Sequence, residues 1–180
     1  MYPPEANNFN NIVENFPILL DWLDENNFTF NDYDLFSGEY FNLPIWEDLL
    51  QIIYDRERKR LDYNIRNEIH KIVSVPTNAS FLMDEEQTKK IEHWLNKFEE
   101  INMSLVLSFS VEGPQELEAL ERPQKNSNNT KTDTNFYEKF FEFRKKYHMS
   151  SHPMVTKNFV KNYKTNYDWW IDTTINYNIT

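Results

Sequence analysis

Two apolar runs, separated by a segment with helical periodicity, limit the possible folds of this chain more than any other feature. Ile69 to Val75 (IHKIVSV) and Met103 to Val111 (MSLVLSFSV) have the composition of buried strands. The segment between them carries an apolar stripe at helical spacing, formed by Ile91, Trp94, Leu95 and Phe98. Strands that alternate with helices are typical of a parallel sheet with right-handed crossovers. The sequence therefore predicts an α/β protein.

The same alternation extends towards the N-terminus. A helix is predicted over Phe9 to Leu23, and Pro17 should kink it or mark its true start. An aromatic, partly alternating strand is predicted over Asn27 to Phe36. Pro44 then opens a helix that runs to about Arg60. After the second strand, Asp84 and Gln87 are spaced as a helix N-cap and its capping-box partner.

The C-terminal part adds a polar stretch and a fourth strand–helix pair. Residues 121–135 are predicted to be a mobile polar loop. Thr134 and Thr156 are placed to cap two helices, and a short strand is predicted over Ser150 to Val155. We therefore expect a single domain over residues 1–180, with one helix followed by about four βα units.

Composition narrows the classes of function. The net charge of −10 disfavours nucleic-acid binding, which depends on basic side chains. No apolar run approaches the roughly 20 residues of a membrane helix, and no signal peptide is visible, so a cytoplasmic location is expected. The basic runs Arg56 to Arg60 and Arg144 to Lys146 are interpreted as solvated helix faces. No membrane or nucleic-acid partner is predicted.

Cysteine and glycine counts are both informative. The chain has no cysteine, which excludes thiolate ligands for zinc or for an iron–sulfur cluster. It has only two glycines, Gly38 after the first predicted strand and Gly113 after the third. Glycine is needed where φ is positive or where a ligand approaches the backbone closely. Because ligands of parallel sheets bind beyond the carboxyl ends of the strands, we predict a ligand site at that edge.

Polar residues follow the first two strands at this edge. Ser37, Gly38 and Glu39 could hold a cationic amine with a carboxylate and backbone carbonyls, or could form a tight turn with a solvated or capping Glu39. Asn78 follows the second strand, where it is either a site residue or a turn residue.

The third strand becomes polar on one face as it ends. Ser108, Ser110 and Glu112 share a face by the strand period of two. Their hydroxyls suit a carboxylate or a ribose, although local hydrogen bonds within the loop are an equal alternative. His148 and His152 lie four residues apart without a third ligand, so no metal site is predicted.

Read together, these strand ends resemble the radical S-adenosylmethionine (SAM) family, in particular its sulfatase-maturase and peptide-modifying subgroup. Tyr33 to Tyr40 (YDLFSGEY) is similar to the family's LxGGEP segment, and Val75 to Ala79 (VPTNA) to its TNG strand end. Leu107 to Pro114 (LSFSVEGP) is similar to xSxSxDGP, with Arg122 at the position of a later arginine. Met154 to Asn158 is similar to the fifth barrel strand. The resemblance covers roughly residues 27–172.

The resemblance implies a partial (β/α) barrel with parallel strands and a SAM-binding edge. Ser37, Gly38 and Glu39 match the segment that holds the SAM amino group. Ser108 and Ser110 match positions near the SAM carboxylate or ribose, and Asn78 lines the same edge. Glu112 and Arg122 would lie towards the substrate.

Departures from the family are equally important. Ser37 replaces the first glycine of GGEP, Tyr40 replaces the proline, and the CxxxCxxC loop that binds the [4Fe-4S] cluster is absent. The resemblance implies 5′-deoxyadenosyl radical chemistry, but this chain is expected to be inactive without a cluster-bearing partner chain or a missing N-terminal segment. Its enzyme status stays open.

Two alternatives from other classes remain. The chain could be a degenerate, non-catalytic α/β interaction protein whose open sheet edges bind a partner. A metal-dependent hydrolase would rest only on scattered acids and histidines.

Overall fold

The computed structural model describes residues 9–35, 39–111, 113–114, 134–147, 149 and 156–177. The helices of this part of the chain are α1 (Phe9–Glu25), α2 (Trp46–Lys59), α3 (Leu61–Arg66), α4 (Glu85–Glu99), α5 (Thr134–Tyr147), α6 (Lys157–Lys161) and α7 (Tyr163–Asn176). The strands are β1 (Asp32–Asp34), β2 (Lys71–Thr77) and β3 (Met103–Phe109). Short 3-10 turns cover Tyr40–Asn42 and Ser80–Met83.

The three described strands form one parallel sheet in the order β1-β2-β3. The register of the first pair joins Asp32 to Ile72, Tyr33 to Val73 and Asp34 to Ser74. The predicted α/β class with parallel strands is therefore confirmed. The fourth strand predicted over residues 150–155 lies outside the described residues.

Strands β2 and β3 each have one buried and one half-buried face. In β2 the buried residues are Lys71, Val73, Val75 and Thr77. In β3 they are Met103, Leu105, Leu107 and Phe109. The alternate positions are half-buried and include Ser74, Asn78, Ser108 and Ser110. Serines therefore share the half-buried face with the apolar residues Ile72, Pro76 and Val106.

The chain divides into two compact units, and the division passes through β2, α4 and β3. The first unit comprises residues 1–74 and 92–105. Its core is built from the apolar face of α2, with Leu50 and Ile53 fully buried, and from aromatic residues of α4. Tyr54 contacts Phe98 edge-on, with ring centroids 6.1 Å apart.

The second unit comprises residues 75–91 and 106–180. Phe109 of β3 packs against Phe140 of α5, with ring centroids 5.1 Å apart, and Phe81 packs against Phe143 at 5.4 Å. These rings are buried, as is Phe136. An aromatic cluster is thus the core of this unit.

Several local predictions are confirmed and others need correction. The Asp84 carboxylate accepts hydrogen bonds from the backbone N–H groups of Glu86 and Gln87, and the Thr156 hydroxyl accepts from Phe159 N. Pro17 lies inside α1, so it does not mark the start of that helix. The last predicted helix is interrupted at Asn162 and forms α6 and α7.

The first strand is much shorter than the predicted span of residues 27–36. Asn27 adopts a left-handed φ of 58°, and Phe28 stacks on Trp22 of α1. Pairing with β2 begins only at Asn31, whose carbonyl accepts from Ile72 N at 2.9 Å. The predicted polar loop over 121–135 ends earlier than expected, because α5 begins at Thr134; its other residues lie outside the described part of the chain.

No helix in the described residues is both long and apolar enough to cross a membrane.

Candidate functional site

The end of β2 is a tight turn built from its own side chains. Ala79 adopts a left-handed φ of 64° and is fully buried. Its backbone N–H donates to the Thr77 hydroxyl at 3.0 Å, and Ser80 N donates to the Asn78 side-chain oxygen at 2.8 Å. Both bonds fix the backbone of this strand end. Asn78 is therefore a turn residue, as one of its two interpretations predicted. Its role in a ligand site stays a prediction.

The end of β3 lies beside this turn. Ser110 N donates to the Thr77 carbonyl at 2.8 Å. In a parallel pair this bond places Ser110 directly opposite Asn78, so both side chains emerge on the same face. Both residues are half-buried, as is Ser108 one pleat earlier on β3. Three of the predicted site residues therefore share one polar surface at the carboxyl edge of the second unit.

Glu39 belongs to the first unit and is fixed by the residues that follow it. It precedes a 3-10 turn, and its carbonyl accepts from Asn42 N at 3.1 Å. Tyr40 is buried and donates its hydroxyl to the Trp46 carbonyl at 3.1 Å. Burial raises the pKa of Tyr40 well above its usual value, so this phenol stays protonated. Tyr40 thus fixes the turn that follows Glu39.

Gly113 approaches another part of the protein chain closely. A Cβ at this position would overlap the side-chain amide of Asn166 in α7. Asn166 is buried, and the Gly113 carbonyl accepts a hydrogen bond from Tyr137 at 3.2 Å. The glycine is therefore required by packing within the second unit, whatever ligand binds there.

The other predicted site residues cannot be placed. Ser37, Gly38, Glu112 and Arg122 lie outside the described residues, as do His148 and His152. Among the described residues, no group of three His, Cys, Asp or Glu is arranged to hold a metal ion.

A buried charge cluster in the first unit was missed by the sequence analysis. We define it as Asp24, Tyr33, Arg56, Glu57, Asn64 and Lys71. Glu57 is fully buried and accepts from the Tyr33 hydroxyl at 2.5 Å, from Lys71 Nζ at 3.0 Å and from Asn64 Nδ2 at 3.1 Å.

Arg56 joins this cluster to α1. Its guanidinium contacts Glu57, Tyr33 and Asp24, and Arg60 reaches the same Asp24 carboxylate at 3.1 Å. The solvated-face interpretation of Arg56 is therefore wrong, because its side chain is only 10% exposed. Arg144 is also half-buried and donates to the Met149 carbonyl at 3.0 Å, so the interpretation is wrong for it too, whereas Lys145 and Lys146 are exposed as predicted.

Burial and pairing have opposite effects on the pKa values of Glu57 and Lys71 in the charge cluster. Burial disfavours the Glu57 carboxylate, but hydrogen bonds from Tyr33 and the charge of Lys71 outweigh it and hold the pKa of Glu57 below its usual value. Burial and the negative charge of Glu57 raise the pKa of Tyr33 far above normal. Burial lowers the pKa of Lys71, although Glu57 limits the fall. An ionised Glu57 with protonated neighbours is thus the stable state.

One sequence signal could have revealed this cluster. Leu50, Ile53 and Glu57 follow helical spacing, so Glu57 continues the apolar stripe of α2. An acid on a buried stripe is rarely tolerated unless it is paired. Its partners Tyr33 and Lys71 come from separate strands, and local spacing gives no indication of them.

A cavity of about 380 Å³ adjoins the charge cluster between α1 and α2. Its lining pairs Asp21, Asp24 and Asp55 with Arg56, Lys59 and Arg60. The formal charges of these six lining residues therefore cancel.

No protein-family model, curated protein or solved structure matches this chain.

Proposed function

We propose that the chain is the SAM-positioning segment of a radical SAM-type enzyme and forms part of a (β/α) barrel with about four βα units. The observation that supports this proposal most is the pairing of Ser110 with Asn78 at the carboxyl edge of a parallel sheet. Ligands of parallel α/β folds bind at this edge. The half-buried face of β2 and β3, on which serines are polar neighbours of apolar residues, would suit a barrel interior that opens onto a ligand.

The residues of this edge fit SAM. Hydroxyls of Ser108 and Ser110 would donate to the carboxylate or ribose, and the Asn78 turn would fix the spacing between the two strand ends. Ser37, Gly38 and Glu39 would hold the ammonium group through oxygen acceptors. Glu112 and Arg122 would lie on the substrate side. These roles follow the family resemblance residue by residue.

The chain does not fit an iron–sulfur cluster. It has no cysteine, so it supplies none of the thiolates that ordinarily hold such clusters. The electron needed for reductive SAM cleavage would come from a cluster on another chain or segment. The contribution of this chain is binding and orientation. A cytoplasmic location stays a prediction.

The proposal is tested by calorimetric titration of the chain with SAM, with methionine and adenosine as separate control ligands. We expect SAM to bind and each half-molecule to bind far more weakly, because the proposed edge contacts both ends of SAM. No detectable SAM binding, or equal binding of adenosine alone, would contradict the proposal.

A second experiment addresses the cluster. Anaerobic incubation of the purified chain with iron and sulfide should leave it without an EPR-active cluster after reduction. A stable iron–sulfur cluster bound to the chain would show that ligands other than cysteine hold it. It would contradict the proposal that another chain or segment supplies the cluster.

A non-catalytic interaction protein is the second candidate function. It is favoured by one specific observation, the exposed Asp32 and Asp34 on β1 at the edge of the described sheet.

A further inference from the structure

The outer edge of β1 presents backbone groups that β2 does not use. Ile72 N donates to Asn31 O and Leu35 N donates to Ser74 O, both at 2.9 Å. In a parallel pair, alternate residues bond to a given neighbour, so Asn31, Tyr33 and Leu35 face β2. Asp32 and Asp34 therefore direct their N–H and C=O groups away from it. Among the described residues, β2 is the one strand next to β1.

The outer edge of β3 differs from that of β1. Leu107 N, which faces away from β2, donates to the Met149 sulfur at 3.5 Å. That position of the edge is thus covered by the chain itself. Asp32 and Asp34 of β1 are instead exposed. An edge of this kind can accept a further strand.

Helix α1 also has an apolar face that the first unit leaves uncovered. Leu20 is buried, but Ile12, Leu19 and Trp22 are 45%, 51% and 50% exposed. Phe28 stacks on Trp22 at 5.6 Å and leads the chain into β1. A helix beside a sheet is expected to bury its apolar stripe against another element. The exposed stripe of α1 is therefore a surface that a partner could cover.

The charges on β1 restrict which strand can bind. Asp32 and Asp34 lie on the same face, because they are two residues apart. If two copies of this chain paired antiparallel through β1, aspartates would oppose aspartates, and like charges in cross-strand positions are destabilising. A strand with lysine or arginine at alternate positions would instead form favourable pairs. Its other face, directed towards the side of Tyr33, would need to be apolar.

We propose that the outer edge of β1, together with the exposed apolar face of α1, binds a β-strand of a partner protein that alternates basic and apolar residues. The main-chain groups of Asp32 and Asp34 provide the hydrogen bonds, and their carboxylates select the basic positions. This interaction does not depend on SAM, and its test contains no SAM. Failure of either proposal therefore leaves the other standing.

The test uses two fluorescent peptides of equal composition. One alternates Lys and Val, and the other has the same residues in two blocks, which controls for attraction to the net charge of −10. We expect the alternating peptide to bind more tightly in fluorescence anisotropy. It should also slow hydrogen exchange at the amides of Asp32 and Asp34. Equal binding of the two peptides, or no protection of these amides, would overturn the proposal.

Two variants distinguish the contribution of the backbone hydrogen bonds to peptide binding from that of the carboxylate charges. Asp34→Pro removes an outward N–H at an edge position where proline is tolerated, and it should abolish peptide binding with an unchanged circular dichroism spectrum. The double variant Asp32→Asn with Asp34→Asn keeps the backbone and should weaken binding about two- to tenfold. Full binding by both variants would refute the proposed edge. Self-association that Asp34→Pro abolishes would show instead that a second copy occupies it.

Discussion

The two ends of β2 use polar residues for different purposes. At the amino end, Lys71 is buried and pairs with Glu57, which also contacts Tyr33 and Arg56 in a closed charge cluster. At the carboxyl end, Asn78 and the neighbouring Ser110 are half-buried, small and uncharged. The first arrangement satisfies every Glu57 oxygen with protein donors, while the second places short polar side chains at the carboxyl edge of the sheet. Stability and ligand binding are therefore expected to depend on opposite ends of the strand.

The largest effect should follow removal of the Glu57 carboxylate. Glu57→Ala leaves Lys71 buried beside Arg56 without its counter-charge, and breaking a buried pair in this way costs about 3–5 kcal/mol. Urea unfolding followed by circular dichroism measures the loss. Glu99→Ala, at an exposed acid of α4, is the matched control and should change the free energy of unfolding by less than about 0.5 kcal/mol. Equal effects of the two substitutions would show that the charge cluster does not stabilise the fold.

A smaller loss of stability is expected from Gly113→Ala, at the glycine that follows β3. The new methyl group would overlap the buried Asn166 side chain, and overpacking of this kind costs about 1–3 kcal/mol. Asn166→Ala should remove most of that cost in the double variant, because it opens the space that the methyl group needs. A double-mutant cycle measures this coupling. Additive effects of the two substitutions would contradict the close packing of these residues.

The charge cluster should make the stability of the unmodified protein depend on pH in the acidic range. Because folding lowers the pKa of Glu57, the contribution of its carboxylate is complete above the unfolded pKa of about 4.3. It is lost as the pH falls through the lower pKa of the folded state. Glu57→Gln cannot titrate at this position. As the pH falls from about 5 to strongly acidic values, its free energy of unfolding should therefore decrease less than that of the wild type. Parallel curves for both proteins would exclude Glu57 as a source of acid sensitivity.

Local sequence patterns predicted the elements better than the contacts between them. The helix caps at Asp84 and Thr156 and the strands β2 and β3 were predictable, since their signals lie within a few residues. The short span of β1 was not, because pairing with β2, which lies far away in sequence, begins only at Asn31. The charge cluster was also missed, because Glu57 gains its partners from separate strands.

The candidate site shows the same division. Strand period alone placed Ser108 and Ser110 on one face, and the structure adds that Asn78 stands opposite Ser110. Because the chain has only two glycines, the sequence indicated that position 113 needs one. It did not indicate that the neighbour requiring it is Asn166.

The most direct test of the proposed SAM-binding edge compares two serines on the same face of β3. Ser110 lies at its carboxyl end, while Ser104 lies near its amino end and bonds to His70 at 2.9 Å. In calorimetric titrations, Ser110→Ala should weaken SAM binding about tenfold, the usual effect of losing one hydrogen bond to a charged group. Ser104→Ala should leave the affinity unchanged. Equal affinities for the wild type and Ser110→Ala, or a comparable loss in Ser104→Ala, would contradict a SAM site at the carboxyl edge of the sheet.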